Sequence, residues 1–408
     1  MNLFTPQDTL HLWCLAEPQS PQLVGSLHLV DRHRSVSLRY ANSWLKNGFA
    51  LSEDLPLIKQ ELLPSEVNRA VGAVDDARPD RWGERIIRLF ERPSRLSLLE
   101  YLFFAGDDRI GALGVSLSDI SYQPHASHLI AEFTGLEEMD KVIRQILANE
   151  PVTELQKRLL RPGASLGGAR PKSLVTIEGQ QWIVKFSEGE IEDTPLIEHA
   201  AMTLAKLCGI HVAETRALAV GNKHAIAIRR FDRIHSQRLH VLSANVALKA
   251  VGEELGYPEL SQLLRRLTEP SQVKTQQLEL FKRMVFNILI DNTDDHEKNH
   301  ALIRDNRGYY YLSPAYDVVP SLQGLRYQQM RVGKFGNEAT LENALSQAQQ
   351  FGLTLQQASS IIKELCGVVQ HWAQHFSMQG VLVRDINELS QYLEGDFLRQ
   401  QRQAFTSR

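Results

Sequence analysis

Cysteine is scarce in this chain of 408 residues, and long apolar runs are absent. The cysteines Cys14, Cys208 and Cys366 lie far apart and lack the paired spacing of a zinc site or a disulfide framework. No apolar stretch approaches the roughly 18 residues that a membrane span requires. The first residues carry no basic leader. We therefore expect a soluble, cytoplasmic protein with no membrane partner.

The chain also lacks an excess of charge of either sign. Lys and Arg number 45 and Asp and Glu number 48, so the formal net charge is -3. This balance excludes a general electrostatic attraction to DNA or to anionic membranes, although a local basic patch stays open. The apolar fraction of 43% and the charged fraction of 23% are those of a globular protein. At about 100 to 200 residues per domain, the length favours two or three domains.

Hydrophobic periodicity predicts small sheets ahead of a mostly helical region. The predicted elements are two strands within 24–40, helical segments within 63–102, a hairpin over 173–186, a helix over 196–208, a strand pair over 215–230 and helices from 259 onward. A Ser-rich stretch at 118–127 is the best candidate for a domain break. A sheet followed by a helical region is the order found in two-lobed nucleotide kinases.

The most informative stretch is 291–300, which holds four carboxylates, two histidines, a lysine and two asparagines. So many polar groups are costly to bury unless they bind a cation or a polar ligand. Asp294 and Asn299 are five residues apart, as are the catalytic Asp and the metal-binding Asn of the protein-kinase loop. Asp317 follows 18 residues after Asn299, where a kinase carries its second metal-binding carboxylate. The alternative is a solvated, acidic helix-capping loop.

Basic residues further upstream fit the phosphate side of such a site. Lys185 lies in the second strand of the predicted hairpin, and the phosphate-pairing lysine of a kinase also lies in a strand. Glu198 lies on the next helix, where the ion-pair partner of that lysine would be. A lysine on the solvent face of an edge strand is the alternative for Lys185.

The glycine-rich segment 163–172 could bring N–H groups close to phosphate oxygens. It matches neither the P-loop nor the kinase glycine motif, so a surface turn stays open. The basic cluster 229–233 is either part of a nucleotide site or a solvated turn.

Together these residues resemble the HipA family of serine/threonine kinases, the toxins of bacterial HipBA-type toxin–antitoxin modules. The resemblance covers nearly the whole chain, and its most specific motif is N-T-D-x-H-x-K-N at 292–299. It implies an α/β, protein-kinase-like, two-lobed fold. The expected divisions are a HipA N-terminal subdomain at 1–125, a kinase N-lobe at 126–235 and a mostly helical C-lobe at 236–408.

The resemblance further implies a protein serine/threonine kinase that uses ATP and Mg²⁺. Asp294 would be the catalytic base, Asn299 and Asp317 would hold Mg²⁺, and Lys185 would pair with the ATP phosphates. Ser165 would be the autophosphorylated loop serine; about two added negative charges there would repel the phosphates of ATP. The other nucleotide-binding residues would be Gly167, Gly168, Ala169, Arg170, Lys172, Arg229, Arg230, Phe231, His296, Lys298 and Tyr316.

Two departures from the family pattern concern the substrate rather than ATP. The N-terminal region carries D-A-R-P-D-R-W-G at 76–83 in place of the usual F-F-x-N-L-L-P-E-G, and the loop reads A-R-P-K at 169–172 rather than A-Q-x-K. The family implies a small helix-turn-helix antitoxin as partner, contact with DNA only through that antitoxin, and an aminoacyl-tRNA synthetase as a candidate substrate. Two rival functions stay open: a small-molecule phosphotransferase on the same fold, and a catalytically idle corepressor that binds its antitoxin.

Overall fold

The computed structural model describes residues 4–125, 135–160 and 170–406. Ser165, Gly167, Gly168 and Ala169 lie outside the described residues. The strands are β1 (Thr9–Cys14), β2 (Gln22–Val30), β3 (Ser35–Tyr40), β4 (Leu113–Ser116), β5 (Lys172–Ile177), β6 (Gln180–Lys185), β7 (Thr215–Val220), β8 (Lys223–Arg229), β9 (Arg233–Ile234), β10 (Gln237–Arg238), β11 (Val241–Ser243), β12 (Ala301–Arg304) and β13 (Tyr310–Leu312).

α-Helices lie between and after these strands. They are α1 (Asn42–Asn47), α2 (Arg81–Phe90), α3 (Leu98–Phe104), α4 (Leu136–Leu147), α5 (Glu154–Leu160), α6 (Thr194–Leu207), α7 (Ala244–Ala250), α8 (Tyr257–Leu267), α9 (Val273–Leu289), α10 (Leu341–Ser346), α11 (Leu355–Val369), α12 (Trp372–Met378), α13 (Val383–Leu393) and α14 (Asp396–Thr406). Within the described ranges, no helix is both long enough and apolar enough to cross a lipid bilayer.

Contacts divide the chain into two compact units. The first unit comprises Met1–Glu188 and Arg230–Leu242, and the second comprises Gly189–Arg229 and Ser243–Arg408. The three functional divisions expected at 1–125, 126–235 and 236–408 stay predictions.

The first unit contains an antiparallel sheet in the order β3-β2-β1-β4. The predicted strands within 24–40 are confirmed as β2 and β3. The predicted helical pattern is wrong for 63–71, because this stretch packs along β3 instead of coiling. A bridge joins Leu38 to Leu62, just before this stretch, and another joins Val36 to Ala70 near its end. Helical conformation begins only with the 3₁₀ turn Gly72–Ala77.

The hairpin β5–β6, also in the first unit, confirms the hairpin predicted over 173–186. Its register places Lys172 directly opposite Lys185. Residues opposite each other in an antiparallel pair point to the same face of the sheet, so the two lysines share one face. The indole Nε1 of Trp82 donates to the carbonyl of Lys172 at 3.1 Å. This bond joins the start of α2, where the divergent 76–83 segment ends, to the strand that carries Lys172.

A buried charge cluster holds the segment 230–233 inside the first unit. Asp232 is 2% exposed and accepts hydrogen bonds from Arg230 at 2.8 Å, from Arg233 at 2.7 Å and from the backbone N–H of Gly111 at 2.7 Å. Burial alone would raise the pKa of Asp232, but the two guanidinium groups lower it below its usual range. The carboxylate therefore stays ionised and forms ion pairs with both arginines, of which Arg230 is buried, as a buried charge requires.

The second unit contains the hairpins β7–β8 and β12–β13 and the helices from α6 onward. Its core lies around α9, whose side chains Leu280, Phe281, Met284 and Ile288 are buried. α8 and α11 pack against this helix. α11 begins with a capping box, in which Thr354 and Gln357 satisfy each other's backbone N–H groups. α9 is central here because it leads directly into the acidic loop at 291–300.

Candidate active site

The acidic loop 291–300 begins where α9 ends. Asp291 adopts a left-handed conformation with φ of 54°, which Asp tolerates better than most residues, and it turns the chain away from the helix axis. Asn292 closes the helix end, because its backbone N–H donates to the carbonyl of Asn287 at 2.9 Å. Its side-chain amide donates to Asn287 Oδ1 at 3.1 Å. The loop then ends in the 3₁₀ turn Glu297–Asn299.

Burial along this loop differs from that of a solvated helix cap. Asp294 and Lys298 are exposed, whereas the other polar residues at 291–293, 295, 299 and 300 are buried. Buried polar groups need partners, so a loop with this much buried polar surface has a defined conformation. The exposed Asp294 therefore lies between the buried residues Thr293 and Asp295.

The inner face of the loop is built around Asp295. His300 Nε2 donates to Asp295 Oδ2 at 2.8 Å, and both side chains are nearly inaccessible, with exposed fractions of 3% and 2%. The hydroxyl of Tyr257, at the start of α8, donates to the same carboxylate oxygen. Sequence reasoning missed Asp295, His300 and Tyr257 as a group, because Tyr257 lies 38 residues before Asp295 and no local pattern joins them.

Asn299 and the segment around Asp317 border one small cavity in the second unit. Its lining includes Asp295, Asn299 and His300 from the loop and Tyr316 and Val318 from either side of Asp317. The hydroxyl of Tyr316 also donates to the carbonyl of Lys298 at 2.8 Å. Asp317 itself is half-buried and has a left-handed φ of 59°. Two segments that are 18 residues apart in sequence thus meet.

The donor set suits Mg²⁺ chemically. An amide oxygen of Asn299 and a carboxylate of Asp317 are hard oxygen ligands, and Mg²⁺ is usually bound by one or two carboxylates together with substrate phosphates rather than by an all-protein cage. In the described parts of the chain, no group of three or more His, Cys, Asp or Glu side chains is placed to hold a metal ion. A site completed by nucleotide phosphates does not need such a group.

The predicted phosphate-side residues of the first unit are Lys172 and Lys185. Their exposed fractions are 1% and 8%, so the alternative of a solvent-facing lysine does not hold at Lys185. The two side chains share one buried face of the hairpin, where an ammonium group can attract an anion. Arg170, which lies two residues before Lys172 in the sequence, is half-buried.

The other predicted nucleotide ligands differ in what their side chains contact. Arg230 donates to Asp232, to the carbonyl of Asp108 at 2.8 Å and to that of Arg109 at 2.9 Å. Its guanidinium therefore stabilises the fold. If Arg230 contacts a nucleotide, it does so through its backbone carbonyl or its aliphatic carbons. Arg229 is exposed on β8 and pairs with Glu214 at 3.3 Å. Phe231 and His296 are half-buried, and Glu198 is buried in α6.

Asp291 joins the acidic loop to the segment that follows Asp317. Its carbonyl accepts from the N–H of Ser321 at 3.0 Å and from the Ser321 hydroxyl at 2.8 Å. One carboxylate oxygen, Oδ2, has no hydrogen-bond partner among the described residues. Burial raises the pKa of Asp291 to about 6, although the N–H of Gly324 opposes this. Both segments of the candidate site are thus joined through one strained, buried acid.

We predict that Asp291→Asn stabilises the protein at pH 8. The pKa of Asp291 is higher in the folded state, so between about pH 4 and 6 the folded state holds more protons than the unfolded one. The free energy of unfolding contributed by this group therefore falls as pH rises through that window. Asparagine cannot ionise and so avoids this loss. We therefore expect the free energy of unfolding at pH 8 to rise by at most about 3 kcal/mol. Urea unfolding at pH 4.5 and 8 measures the difference.

Asp305→Asn is the matched control for this prediction. Burial alone would raise the pKa of Asp305, but the N–H groups of Tyr309 and Arg307 donate to it at 2.8 and 2.9 Å and lower its pKa. The substitution at Asp305 should therefore reduce stability at pH 8, the opposite sign. Equal effects of the two substitutions at both pH values would contradict the interpretation of Asp291.

Comparison with known proteins identifies the family. Residues 19–116 match the model of the HipA N-terminal domain, and residues 164–373 match the model of the HipA-like C-terminal domain. The chain belongs to the HipA family. The family expected from the acidic loop is thus confirmed.

Relatives of this HipA-family chain share modest identity with it. The serine/threonine-protein kinase toxin HipA of Shewanella oneidensis is 22% identical over 340 residues, which span 73% of this chain and 72% of the relative. The candidate kinase Y4mE of Sinorhizobium fredii is 25% identical over 337 residues, 76% of this chain and 78% of the relative. A second candidate kinase of that organism, Y4dM, is 31% identical over 165 residues, and the match spans only 39% of its length.

A solved structure shows that the fold is shared. The chain superposes on a structure described as the Shewanella oneidensis HipA, HipB and operator DNA complex with a TM-score of 0.66 and 18% identity, covering 98% of this chain and 97% of the other. The predicted fold class, an α/β fold of the HipA kinase type, is confirmed.

Proposed function

We propose that this HipA-family chain is a protein serine/threonine kinase that uses ATP and Mg²⁺. The observation that carries the proposal is the small cavity of the second unit, bordered by Asn299 on one side and by the residues flanking Asp317 on the other. The exposed Asp294 lies on the same loop as Asn299, five residues earlier. This gives one loop that offers a carboxylate to an acceptor hydroxyl and an amide oxygen to a metal ion.

Each side chain has a defined task in this proposal. Asp294 accepts the proton of the acceptor hydroxyl, because it is the exposed carboxylate of a loop in which Asp291 and Asp295 are buried. Asn299 and Asp317 hold Mg²⁺, which when bound shields the negative charge of the phosphates. Lys172 and Lys185 attract the phosphates electrostatically. Catalysis of this kind depends on positioning and charge neutralisation rather than on a covalent intermediate.

Regulation is proposed to follow the family. A HipB-like helix-turn-helix antitoxin is the proposed partner, since a solved relative of the same fold is described in a complex with HipB and operator DNA. Autophosphorylation of Ser165 is proposed as a second control, and an aminoacyl-tRNA synthetase is the proposed class of substrate. DNA would then be reached only through the antitoxin.

The test is transfer of labelled phosphate from ATP to proteins. Purified chain is incubated with γ-labelled ATP, Mg²⁺ and a cell lysate, and the labelled molecules and sites are identified. We expect label on Ser or Thr residues of proteins, loss of label on chelation of Mg²⁺, and a Ser165→Ala variant that lacks its own label. Label confined to a metabolite would instead establish a small-molecule phosphotransferase. Failure to bind Mg-ATP would favour the idle corepressor.

A further inference from the structure

We propose that Asp295 and His300 form a buried tie that fixes the separation between Asp294 and Asn299, and that they act as positioning residues for metal binding at the candidate site. The inference deepens the proposed function and rests on it. Neither residue is assigned a role by the kinase-like pattern, which concerns only Asp294, Asn299 and Asp317.

The position of the tie along the chain is its first support. Asp295 directly follows Asp294, and His300 directly follows Asn299. The bond of 2.8 Å from His300 Nε2 to Asp295 Oδ2 therefore closes the loop at its two functional ends. A change in that bond must move the exposed carboxylate and the amide relative to each other, because only one peptide unit separates each from the tie.

Burial makes the tie strong and specific. The two side chains are exposed by only 3% and 2%, so water competes little for the bond. His300 Nδ1 has no hydrogen-bond partner among the described residues, which leaves Nε2 as the ring atom that orients the imidazole. In metal sites, a carboxylate commonly orients the imidazole that binds the metal. Here Asp295 orients an imidazole that directly follows the proposed metal ligand Asn299 in sequence.

Tyr257 anchors the tie to α8. The tyrosine is fully buried, and its hydroxyl donates to the same Asp295 oxygen that His300 contacts. Burial, together with the nearby carboxylate, holds the pKa of Tyr257 well above its usual range, so the phenol stays a donor. Its ring also meets the His300 imidazole edge to face, with centroids 5.5 Å apart. The loop is therefore fastened to a packed helix rather than only to itself.

The cavity connects the tie to metal binding. Asp295, His300 and Asn299 all border it, together with the residues on either side of Asp317. Loss of the tie would free Asn299 to leave that border while Asp317 stays in place. The expected consequence is weaker metal binding, with little effect on contacts made by the lysines of the first unit.

The test compares His300→Ala with His300→Gln in the full chain. Glutamine places an N–H group close to the position of Nε2, whereas alanine removes the donor. In His300→Ala, we expect the Mg²⁺ concentration that half-saturates Mg-dependent ATP binding to rise about 10- to 100-fold, the usual effect of losing such a support. In His300→Gln, we expect the half-saturating Mg²⁺ concentration to stay within a few fold of the wild-type value. ATP affinity without Mg²⁺ and the thermal midpoint are measured for each variant.

Trp372→Phe supplies the control for general destabilisation. It removes a hydrogen bond of 2.6 Å from the buried Trp372 to the exposed Glu394, in the second unit, without altering the loop. An equal shift of the Mg²⁺ requirement in Trp372→Phe and His300→Ala, at equal thermal stability, would refute the positioning role of the Asp295–His300 bond. An unchanged Mg²⁺ requirement in His300→Ala would refute it as well. A wild type that binds Mg-ATP without transferring phosphate would refute the kinase proposal alone. A wild type that never binds Mg-ATP would refute both proposals.

Discussion

Asp294→Asn is expected to abolish phosphoryl transfer, with a loss of about 10²- to 10⁴-fold, the usual contribution of a general base. Asparagine has nearly the same shape but cannot take the proton of an acceptor hydroxyl. Asp294 is exposed, while the buried residues on either side of it define the loop. The substitution should therefore change the free energy of unfolding by no more than about 0.5 kcal/mol.

The variant separates chemistry from binding. Mg-ATP affinity should stay within a few fold of the wild type, because Asn299 and Asp317 are intact. Glu342→Gln, on the exposed first turn of α10, is the matched control, since it removes one exposed carboxylate from a different element of the same unit. Transfer that survives in a folded Asp294→Asn protein would refute Asp294 as the base. Equal loss in Glu342→Gln would show that net charge, not Asp294, is responsible.

Elements defined by short-range rules could be predicted from the sequence. The hairpin β5–β6 depends on residues a few positions apart, and it is confirmed. β1 was not predicted, because a register shift between Leu12 and Trp13 interrupts the alternation that identifies a strand. Val36 and Leu38 pair with residues far along the chain, and these pairings override the helical pattern near Leu63.

The candidate site shows the same division between local and distant information. The spacing of Asp294, Asn299 and Asp317 could be recognised because a kinase loop fixes it within a short stretch. The support beneath the loop could not be recognised, since Tyr257 reaches Asp295 only through the packing of α8. The burial of the Arg230 guanidinium could not be predicted either, because the carbonyls that it contacts, at Asp108 and Arg109, lie more than 100 residues earlier.

Asp317→Asn is expected to weaken Mg-dependent ATP binding and, with it, to reduce phosphoryl transfer. A neutral amide is a much weaker ligand for a hard divalent cation than a carboxylate. Asn is the appropriate replacement because Asp317 has a φ of 59°, a left-handed conformation that Asn also adopts readily. Alanine would add backbone strain at that position and confuse loss of folding with loss of metal binding.

Titration of ATP binding with Mg²⁺ distinguishes this variant from Asp294→Asn. Asp317→Asn should raise the Mg²⁺ requirement at least about 10-fold, whereas Asp294→Asn should leave it unchanged. Asp305→Asn, on the turn between β12 and β13, serves as the control, since it alters a carboxylate between Asn299 and Asp317 in sequence. The two expected losses of transfer thus have different causes. If Asp317→Asn lost transfer while its Mg²⁺ titration matched that of the wild type, Asp317 would not be a metal ligand, and the cavity beside Asn299 would need another explanation.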